Sequence, residues 1–308
     1  MIYLKSFYLQ DENMELGFFH SFSRTCFTNC YPFRFFPNMK GLTRLLFDEV
    51  TILCGSNGSG KSTLLNIISE KLELKIDTQY NKTYFFNPYI AKCSYELDVH
   101  DKEEMRNFMF VSRIITSDDV FNSIIKLRER NDNLDFKREL IFNERSLYNN
   151  IVTRRPRGFN ADDPDSINAY IDYYERNHLS ASQYVKRRIG EKERTYSNGE
   201  NGFRFFTDAI QPEGLYLLDE LENSLSPEMQ LQLAQYLYSM ARFYKSQFVI
   251  ATHSPFILAI PQARIYNMDE SPVKTCKWTE CENVRVYYDF FKQHKEEFED
   301  DSEINIQK

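Results

Sequence analysis

A glycine-rich segment early in the chain has the residue types and spacing of a phosphate-binding loop. The pattern G-x-x-x-x-G-K-[ST] lies within nine consecutive residues: Gly55, Ser56, Asn57, Gly58, Ser59, Gly60, Lys61, Ser62 and Thr63. Glycines let the backbone wrap closely around an anion, and the positive end of a following helix points at phosphate oxygens. Lys61 adds a full positive charge, and the Ser62 hydroxyl is placed to bind Mg²⁺. The segment therefore predicts a site for ATP and Mg²⁺.

The residues on either side of this loop predict the elements that position it. Residues 50–54 form an apolar, β-prone run that leads into the first glycine. Behind the loop, apolar residues recur on one face of a helix, namely Leu64, Leu65, Ile67, Ile68 and Leu72. A glycine-rich turn before an ordinary helix is the alternative, but strand, loop and helix in this order favour phosphate binding.

Two further apolar runs each end in residues that could complete such a site. Residues 215–218 precede Asp219 and Glu220, and residues 248–252 precede His253. Ligands bind at the carboxyl ends of parallel strands, so we expect Asp219 to hold Mg²⁺, directly or through water. Glu220 would act as general base or position a water, and a neutral His253 would donate to a γ-phosphate oxygen. A solvated Asp-Glu pair and a structural histidine are the alternatives.

A predicted helix start upstream offers a second anion-binding geometry. Ser197, Asn198 and Gly199 directly precede a helical stretch, so the Ser197 hydroxyl and the next two amides would lie at a helix N-terminus. Without the other elements, this segment would be an ordinary helix cap.

Aromatic residues are unusually frequent, with 26 Phe and 20 Tyr. Core packing is the first role expected of such side chains. Tyr31 lies ahead of the glycine loop, where core packing is the preferred interpretation and stacking on an adenine ring is the alternative.

Composition limits the classes of partner. The net charge of the 308 residues is −7, so DNA contact would require a local basic patch. Neither a membrane-spanning apolar run nor the layout of a signal peptide is present, and we expect a cytoplasmic protein without a membrane partner. The six cysteines include the loose pairs Cys26/Cys30 and Cys276/Cys281, whose spacing matches no zinc pattern. Reduced thiols are the expectation.

The pattern along the chain predicts two lobes separated by a helical insertion. We expect the first lobe at residues 1–116, the insertion at 117–194, the second lobe at 195–290 and an acidic tail at 291–308. In the first lobe, the opening residues alternate like an edge strand, and residues 108–111 have the pattern of a short strand.

Basic residues gather in the predicted insertion: Arg154, Arg155, Arg157, Lys186, Arg187, Arg188, Lys192 and Arg194. A solvated helix face and a patch that binds phosphate groups or a partner fit this pattern equally. In the second interpretation, DNA would bind through Arg154, Arg155, Arg157, Lys186, Arg187 and Arg188.

In their order along the chain, these motifs resemble the ATP-binding cassette (ABC) type of AAA-family ATPases. Ser197-Asn198-Gly199-Glu200 stands where that family has Ser-Gly-Gly-Gln, Glu220 matches its catalytic glutamate, and His253 matches its switch histidine. Residues 217–227 and 251–256 are typical of the soluble branch that contains RecF, structural-maintenance-of-chromosomes and OLD-type ATPases. The resemblance implies an α/β P-loop fold with a mostly parallel central sheet, an N-terminal antiparallel β portion and a helical insertion.

The resemblance also implies a mechanism. Two copies would form a head-to-tail dimer that encloses ATP between the Lys61 loop of one copy and the Ser197 helix of the other, with Lys61, Glu220 and His253 catalytic. Leu221 and Ser226 depart from the usual proline and aspartate at their positions, and residues 112–119 lack the usual glutamine.

Three biological roles follow from this resemblance. The first is a DNA-associated ATPase in repair or anti-phage defence that acts with a separate effector protein. The second is an ATP-gated module that sequesters or releases a protein partner, with hydrolysis as a timer. A transporter subunit is the third role, which the sequence favours least.

Overall fold

The computed structural model of the chain describes residues 1–21, 30–80, 82–151, 162–189 and 198–298. The chain divides into two units, of which the first combines Met1–Phe121 with Asn198–Lys308 and the second is Asn122–Ser197. The strands in chain order are β1 (Leu4–Tyr8), β2 (Arg44–Leu46), β3 (Val50–Cys54), β4 (Ser94–Leu97), β5 (Arg113–Thr116), β6 (Leu215–Asp219), β7 (Gln247–Ala251), β8 (Arg264–Asn267) and β9 (Lys274–Cys276).

Helices are the other regular elements of the described residues. In chain order they are α1 (Glu12–Ser21), α2 (Lys61–Lys71), α3 (Phe86–Lys92), α4 (Lys102–Val111), α5 (Ser117–Ile151), α6 (Pro164–His178), α7 (Ala181–Ile189), α8 (Asn198–Ala209), α9 (Pro227–Phe243), α10 (Pro255–Leu258) and α11 (Glu282–Gln293). No helix in the described part of the chain is both long enough and apolar enough to cross a bilayer.

A six-stranded sheet forms the centre of the first unit. Its strand order is β5-β6-β7-β3-β8-β9, and all neighbours are parallel except β8 and β9, which are antiparallel. Every residue of β3 and β7 is buried, as the continuous apolar runs predict for central parallel strands. The predicted α/β fold with a mostly parallel sheet is therefore confirmed.

A second, antiparallel sheet contains the N-terminal strand. Its order is β2-β1-β4, so β1 is the middle strand and the expectation of an edge strand was wrong. Burial along β1 does not alternate strictly, since Ser6 and Phe7 are both buried, and the partner β4 lies far along the chain, with Phe7 opposite Tyr95. Gln247 of β7 joins this sheet to the central one, because its side-chain amide bonds to the backbone of Leu4.

The core of the first unit is rich in aromatic contacts. Phe33 stacks on Phe18 with ring centroids 4.6 Å apart and meets Tyr89 edge-on at 5.0 Å. Leu64 and Leu65 of α2 are fully buried. Burial of this kind stabilises a fold by about 1.5–3 kcal/mol for each large apolar side chain, so α2 and its preceding loop are held firmly.

Residues 108–111, which the pattern predicted as a strand, form the last turn of α4. Asp101 caps this helix, because its side chain accepts from the backbone N–H groups of Glu103 and Glu104. Phe108 is buried, whereas Phe110 is 80% exposed. The cap outweighs the β-propensity of the aromatic residues, which tertiary context commonly overrides.

The second unit contains helices joined by short-range contacts. Asp163 caps α6 by accepting from Asp165 N. Arg187 of α7 pairs with Glu175 at 2.8 Å, and Arg188 pairs with Asp172. These carboxylates offset part of the predicted basic patch.

Candidate functional site

The glycine loop connects β3 to α2 in the conformation that the pattern predicts. Gly58 and Gly60 have φ angles of 82° and 97°, in the left-handed region that favours glycine. A Cβ atom at Gly60 would lie 2.4 Å from Cε1 of Phe35, so this position also lacks room for a side chain. The helix begins at Lys61, immediately behind the loop.

The Lys61 side chain turns back into the loop. Its ammonium donates to the carbonyl oxygens of Gly55 and Ser56 at 2.9 and 3.0 Å and lies 3.0 Å from Nε2 of His253. Lys61 is only 3% exposed, and burial lowers its pKa against the opposing charges of Glu220 and Asp219. The Lys61 amine is thus held at the centre of the loop by its hydrogen bonds.

Ser62 and Asp219, the two predicted magnesium ligands, lie side by side. The Ser62 hydroxyl donates to Oδ1 of Asp219 at 3.0 Å. Burial raises the pKa of Asp219 to about 6, although the hydrogen bond from Ser62 acts in the opposite direction. A half-buried carboxylate and a neighbouring hydroxyl are oxygen donors of the kind that Mg²⁺ prefers, so the residues present fit this ion.

Glu220 and His253 complete the group of predicted residues. Nε2 of His253 lies 3.7 Å from Oε1 of Glu220, and Asn223 donates to the other Glu220 oxygen at 3.2 Å. Glu220 has φ 50° and ψ 49°, a left-handed conformation that is unusual for a residue with a long side chain. Such strain is typical of functional positions that the surrounding structure holds in place.

Two residues that the sequence analysis missed fix the backbone of His253. Its N–H donates to Oε1 of Glu222 at 2.5 Å, and its carbonyl oxygen accepts from the Asn283 side chain at 2.5 Å. Glu222 lies two positions after Glu220, and this short distance from the Asp219-Glu220 pair is the sequence signal that could have identified it. Asn283 belongs to α11, and nothing in its sequence context pointed to the site.

Asp269 is a third missed residue, and it holds the start of the glycine loop. The backbone N–H of Ser56 donates to both Asp269 oxygens, at 2.9 and 2.8 Å, and the Ser56 hydroxyl donates at 2.6 Å. Asp269 follows β8, another parallel strand, so the rule that placed Asp219 at a strand end could have found it. At the other end of the loop, the Tyr31 hydroxyl donates to Oγ1 of Thr63.

The predicted second anion site is described only in part: Ser197 lies outside the described residues, while Asn198 is the first residue of α8. Three residues of the predicted basic patch also lie outside the described residues, namely Arg154, Arg155 and Arg157. A Cβ at Gly199 would lie 3.7 Å from the backbone nitrogen of Ser226. Ser226, which replaces the usual aspartate, caps α9 by accepting from Met229 N.

Strand β5, within the segment that lacks the usual glutamine, ends beside Asp219, one of the predicted magnesium ligands. Thr116 is the last residue of β5 and pairs in register with Asp219. The Thr116 backbone N–H and hydroxyl both donate to Asp119 at 2.8 and 2.9 Å. The residue at this strand end is therefore a threonine held by an aspartate.

The Ser59 hydroxyl is a further group of the loop that could bind an anion. The Ser59 hydroxyl is buried and has no hydrogen-bond partner within the described residues. A buried polar group without a partner costs about 1–3 kcal/mol, which a phosphate oxygen would offset. Together with the backbone amides and Lys61, this donor set fits the phosphate groups of ATP.

A sequence model of one protein family matches residues 92–259 of the chain. Its description is "AAA domain, putative AbiEii toxin, Type IV TA system". The chain belongs to this AAA family. This match confirms the resemblance to AAA-family proteins. A search of curated proteins finds no match.

Solved structures similar to this AAA-family chain include heads of chromosome-maintenance proteins and an ABC cassette. The Smc head domain of Pyrococcus furiosus, with an extended coiled coil and bound to the C-terminal domain of ScpA, is 14% identical (TM-score 0.44, 96% of this chain and 100% of that chain). The SMC head domain of Thermotoga maritima is 12% identical (TM-score 0.36, 89% and 98%). A dimeric ATP-binding cassette bound to ADP and Pi is 17% identical (TM-score 0.35, 76% and 88%).

Proposed function

We propose that this chain binds Mg·ATP at residues 55–63 and hydrolyses it. The observation that supports this function best is the meeting of Lys61, Asp219 and His253, which come from three separate parts of the chain. The contact between Lys61 and His253 spans 192 positions, so local structure alone cannot account for it. Hydrolysis of ATP uses each of these residue types.

Each residue has a role that follows from its position. Lys61 and His253 lie 3.0 Å apart and would share the negative charge of the terminal phosphate. Ser62 and Asp219 would hold Mg²⁺, which when bound neutralises charge on phosphate oxygens. Glu220, beside His253, would orient a water and accept its proton. Glu222 and Asn283 would keep His253 in place.

The partial exposure of the site supports the proposal of a dimer. The side chains of His253 and Glu220 are 31% and 33% exposed, so water reaches one side of the site. One loop and one helix terminus enclose only part of a triphosphate. Ser197, Asn198 and Gly199 of a second copy would enclose the rest, and loss of the terminal phosphate would loosen the pair.

A Glu220→Gln variant tests both the chemistry and the dimer. The amide keeps the shape of Glu220 but cannot accept a proton, so ATP should bind while turnover falls by about 10²–10⁴-fold. Light scattering with saturating Mg·ATP should then show a dimer. Glu228→Gln, on the exposed first turn of α9, is the matched control and should retain turnover.

Two outcomes of that experiment would contradict the proposal. If the Gln variant binds ATP and stays monomeric, the shared enclosure of ATP is wrong. If it hydrolyses ATP at the rate of the unchanged chain, Glu220 is not the group that activates water.

The ion pairs of the helical unit favour a protein partner over DNA. Arg187 and Arg188 already pair with Glu175 and Asp172, which reduces the charge available to phosphate groups. We therefore propose that the ATP cycle gates the binding of a separate protein, with DNA association as the second candidate.

Salt dependence separates these two roles. A protein that neutralises DNA phosphates loses affinity steeply as salt rises. The DNA role holds if the affinity for DNA falls steeply with salt concentration and if replacing Arg154, Arg155 and Arg157 by alanine abolishes the binding. The gated module is supported if the Glu220→Gln variant captures a protein partner only when ATP is present and the capture persists after nuclease treatment.

A further inference from the structure

Three cysteine thiols converge beneath the start of the glycine loop. Cys54 is the last residue of β3, Cys276 is the last residue of β9, and Cys281 directly precedes α11. Their three sulfur atoms all lie within 4.8 Å of one another. The Cys281 sulfur is 2.8 Å from that of Cys54 and 3.8 Å from that of Cys276. The ATPase chemistry uses none of these side chains.

Two of the three thiols are buried, as expected for the ligands of an internal binding site. Cys54 and Cys281 are 2% and 0% exposed, whereas Cys276 is half-buried and borders solvent. All three thiols are free. Cys281 also lies at the N-terminal end of α11, a 12-residue helix whose dipole favours a negatively charged sulfur.

We propose that Cys54, Cys276 and Cys281 together bind one Zn²⁺ ion as thiolates. Zinc–sulfur bonds are about 2.3 Å long, which places two sulfurs of a tetrahedral site about 3.8 Å apart. The Cys276–Cys281 distance of 3.8 Å already matches this edge, and the Cys54–Cys281 pair would open by about 1 Å. Binding releases the thiol protons to solvent and leaves a fourth coordination position on the open side at Cys276.

A disulfide between Cys54 and Cys281 is the competing chemistry. Their sulfurs, 2.8 Å apart, would have to approach by about 0.75 Å to reach the bond length of about 2.05 Å. Such a bond would also leave the third thiol unused and would require an oxidant to accept two electrons and two protons. Zinc accounts for all three sulfurs without a redox step.

The ion would connect both sides of the ATP site. Cys54 directly precedes Gly55, and its carbonyl oxygen accepts from Met268 N at 2.7 Å, next to the Asp269 that holds Ser56. Cys281 precedes the helix that carries Asn283, whose side chain bonds to the His253 carbonyl. A metal at this point ties the first glycine of the loop to the support of His253.

Titration of the reduced, metal-free full chain with Co²⁺ tests the site without ATP. Three thiolates should give a thiolate-to-cobalt charge-transfer absorption that saturates at one ion per chain and disappears on addition of Zn²⁺. Cys276→Ser should lower the affinity for Co²⁺ at least about 100-fold, because it removes a ligand outright. Cys93→Ser is the matched control, since Cys93 is a buried thiol outside the cluster, and it should bind Co²⁺ as the unchanged chain does.

Three results would overturn the zinc site. The first is a folded, reduced chain that shows no cobalt–thiolate absorption. The second is equal binding by Cys276→Ser and Cys93→Ser. The third is a Cys54–Cys281 disulfide in the chain as purified, before reduction and metal removal, detected as a linked peptide pair two hydrogens lighter than the two separate thiol peptides. Because no readout involves ATP, failure of the zinc site leaves the proposed ATPase function untouched.

Discussion

The carboxyl edge of the central sheet and the helical unit of residues 122–197 use charged residues in opposite ways. At the sheet edge, the contact between Lys61 and His253 joins positions 192 residues apart, and Lys61 is buried. In the helical unit, Arg187 and Glu175 are 12 positions apart, and the arginine side chain is 64% exposed.

This contrast shows which charged contacts depend on the tertiary fold. The buried charge of Lys61 at the sheet edge is costly unless its partners are well placed, so Lys61 depends on the strands that carry those partners. Exposed pairs between neighbouring helices contribute little, and one can replace another. We therefore expect single changes at the sheet edge to have large effects and the same types of change in the helical unit to have small ones.

Replacing Lys61 should produce the largest effect. Lys61→Ala removes the charge from the loop, and we expect loss of ATP binding and a fall in turnover of at least about 10²–10³-fold. The matched change Lys137→Ala, on an exposed position of α5, should alter neither. Equal ATP affinity of the two variants in calorimetry would break the comparison.

Removing apolar volume should separate the two regions in stability. Leu217 of β6 is fully buried, and Leu217→Ala should lower the free energy of unfolding by about 2–5 kcal/mol. Leu140 in the helical unit is 47% exposed, and Leu140→Ala should change the free energy of unfolding by no more than about 0.5 kcal/mol. Chemical denaturation of both variants measures this, and similar midpoints would argue against a β6-centred core.

Glu222 tests whether the position of His253 matters. Glu222→Ala removes the acceptor for the His253 N–H and should lower kcat by about 10–100-fold, as loss of a supporting hydrogen bond typically does. Glu222→Gln keeps an oxygen at this place and should restore most of the rate. If Ala and Gln variants turn over ATP equally, the hydrogen bond to His253 is not what Glu222 contributes.

Glu15 should make stability depend on pH. It is 2% exposed, and burial raises its pKa from 4.5 to about 7, although the N–H of Arg34 bonded to it acts in the other direction. Its contribution is thus fully present below about pH 4.5 and is lost as the pH rises through 7.

The measurement compares thermal unfolding of three chains between pH 5 and 8. The free energy of unfolding of the unchanged chain should fall by about 1–3 kcal/mol from pH 5 to pH 8, and Glu15→Gln should remove this fall. The exposed Glu12→Gln, one helical turn away, should keep the fall. A pH profile that is identical in all three chains would show that Glu15 does not titrate in this range.

The smallest effect belongs to the exposed pairs. A double-mutant cycle on Arg187→Ala and Glu175→Ala should give a coupling of about 0.2–1 kcal/mol, which salt reduces further. A coupling above about 2 kcal/mol would mean that this pair is held as rigidly as those at the sheet edge, and the contrast between the regions would fail.

Local patterns were sufficient for the elements that carry the chemistry. The glycine loop, the Asp219-Glu220 strand end and the strand before His253 each have a periodicity and a terminal residue that specify them within a few positions. The family resemblance rested on the same motifs. Short-range signals failed where a cap competed with strand propensity, as at Phe108.

Amino-acid order alone therefore determined the P-loop class of this chain and the residues at its strand ends. Only the tertiary structure decided which side chains support them, because Glu222, Asp269 and Asn283 act through contacts with residues 30 to 213 positions away. The same holds for Cys54, which meets Cys281 across 227 positions. Spacing along a chain cannot report such meetings, since the order of strands in a sheet differs from their order in sequence.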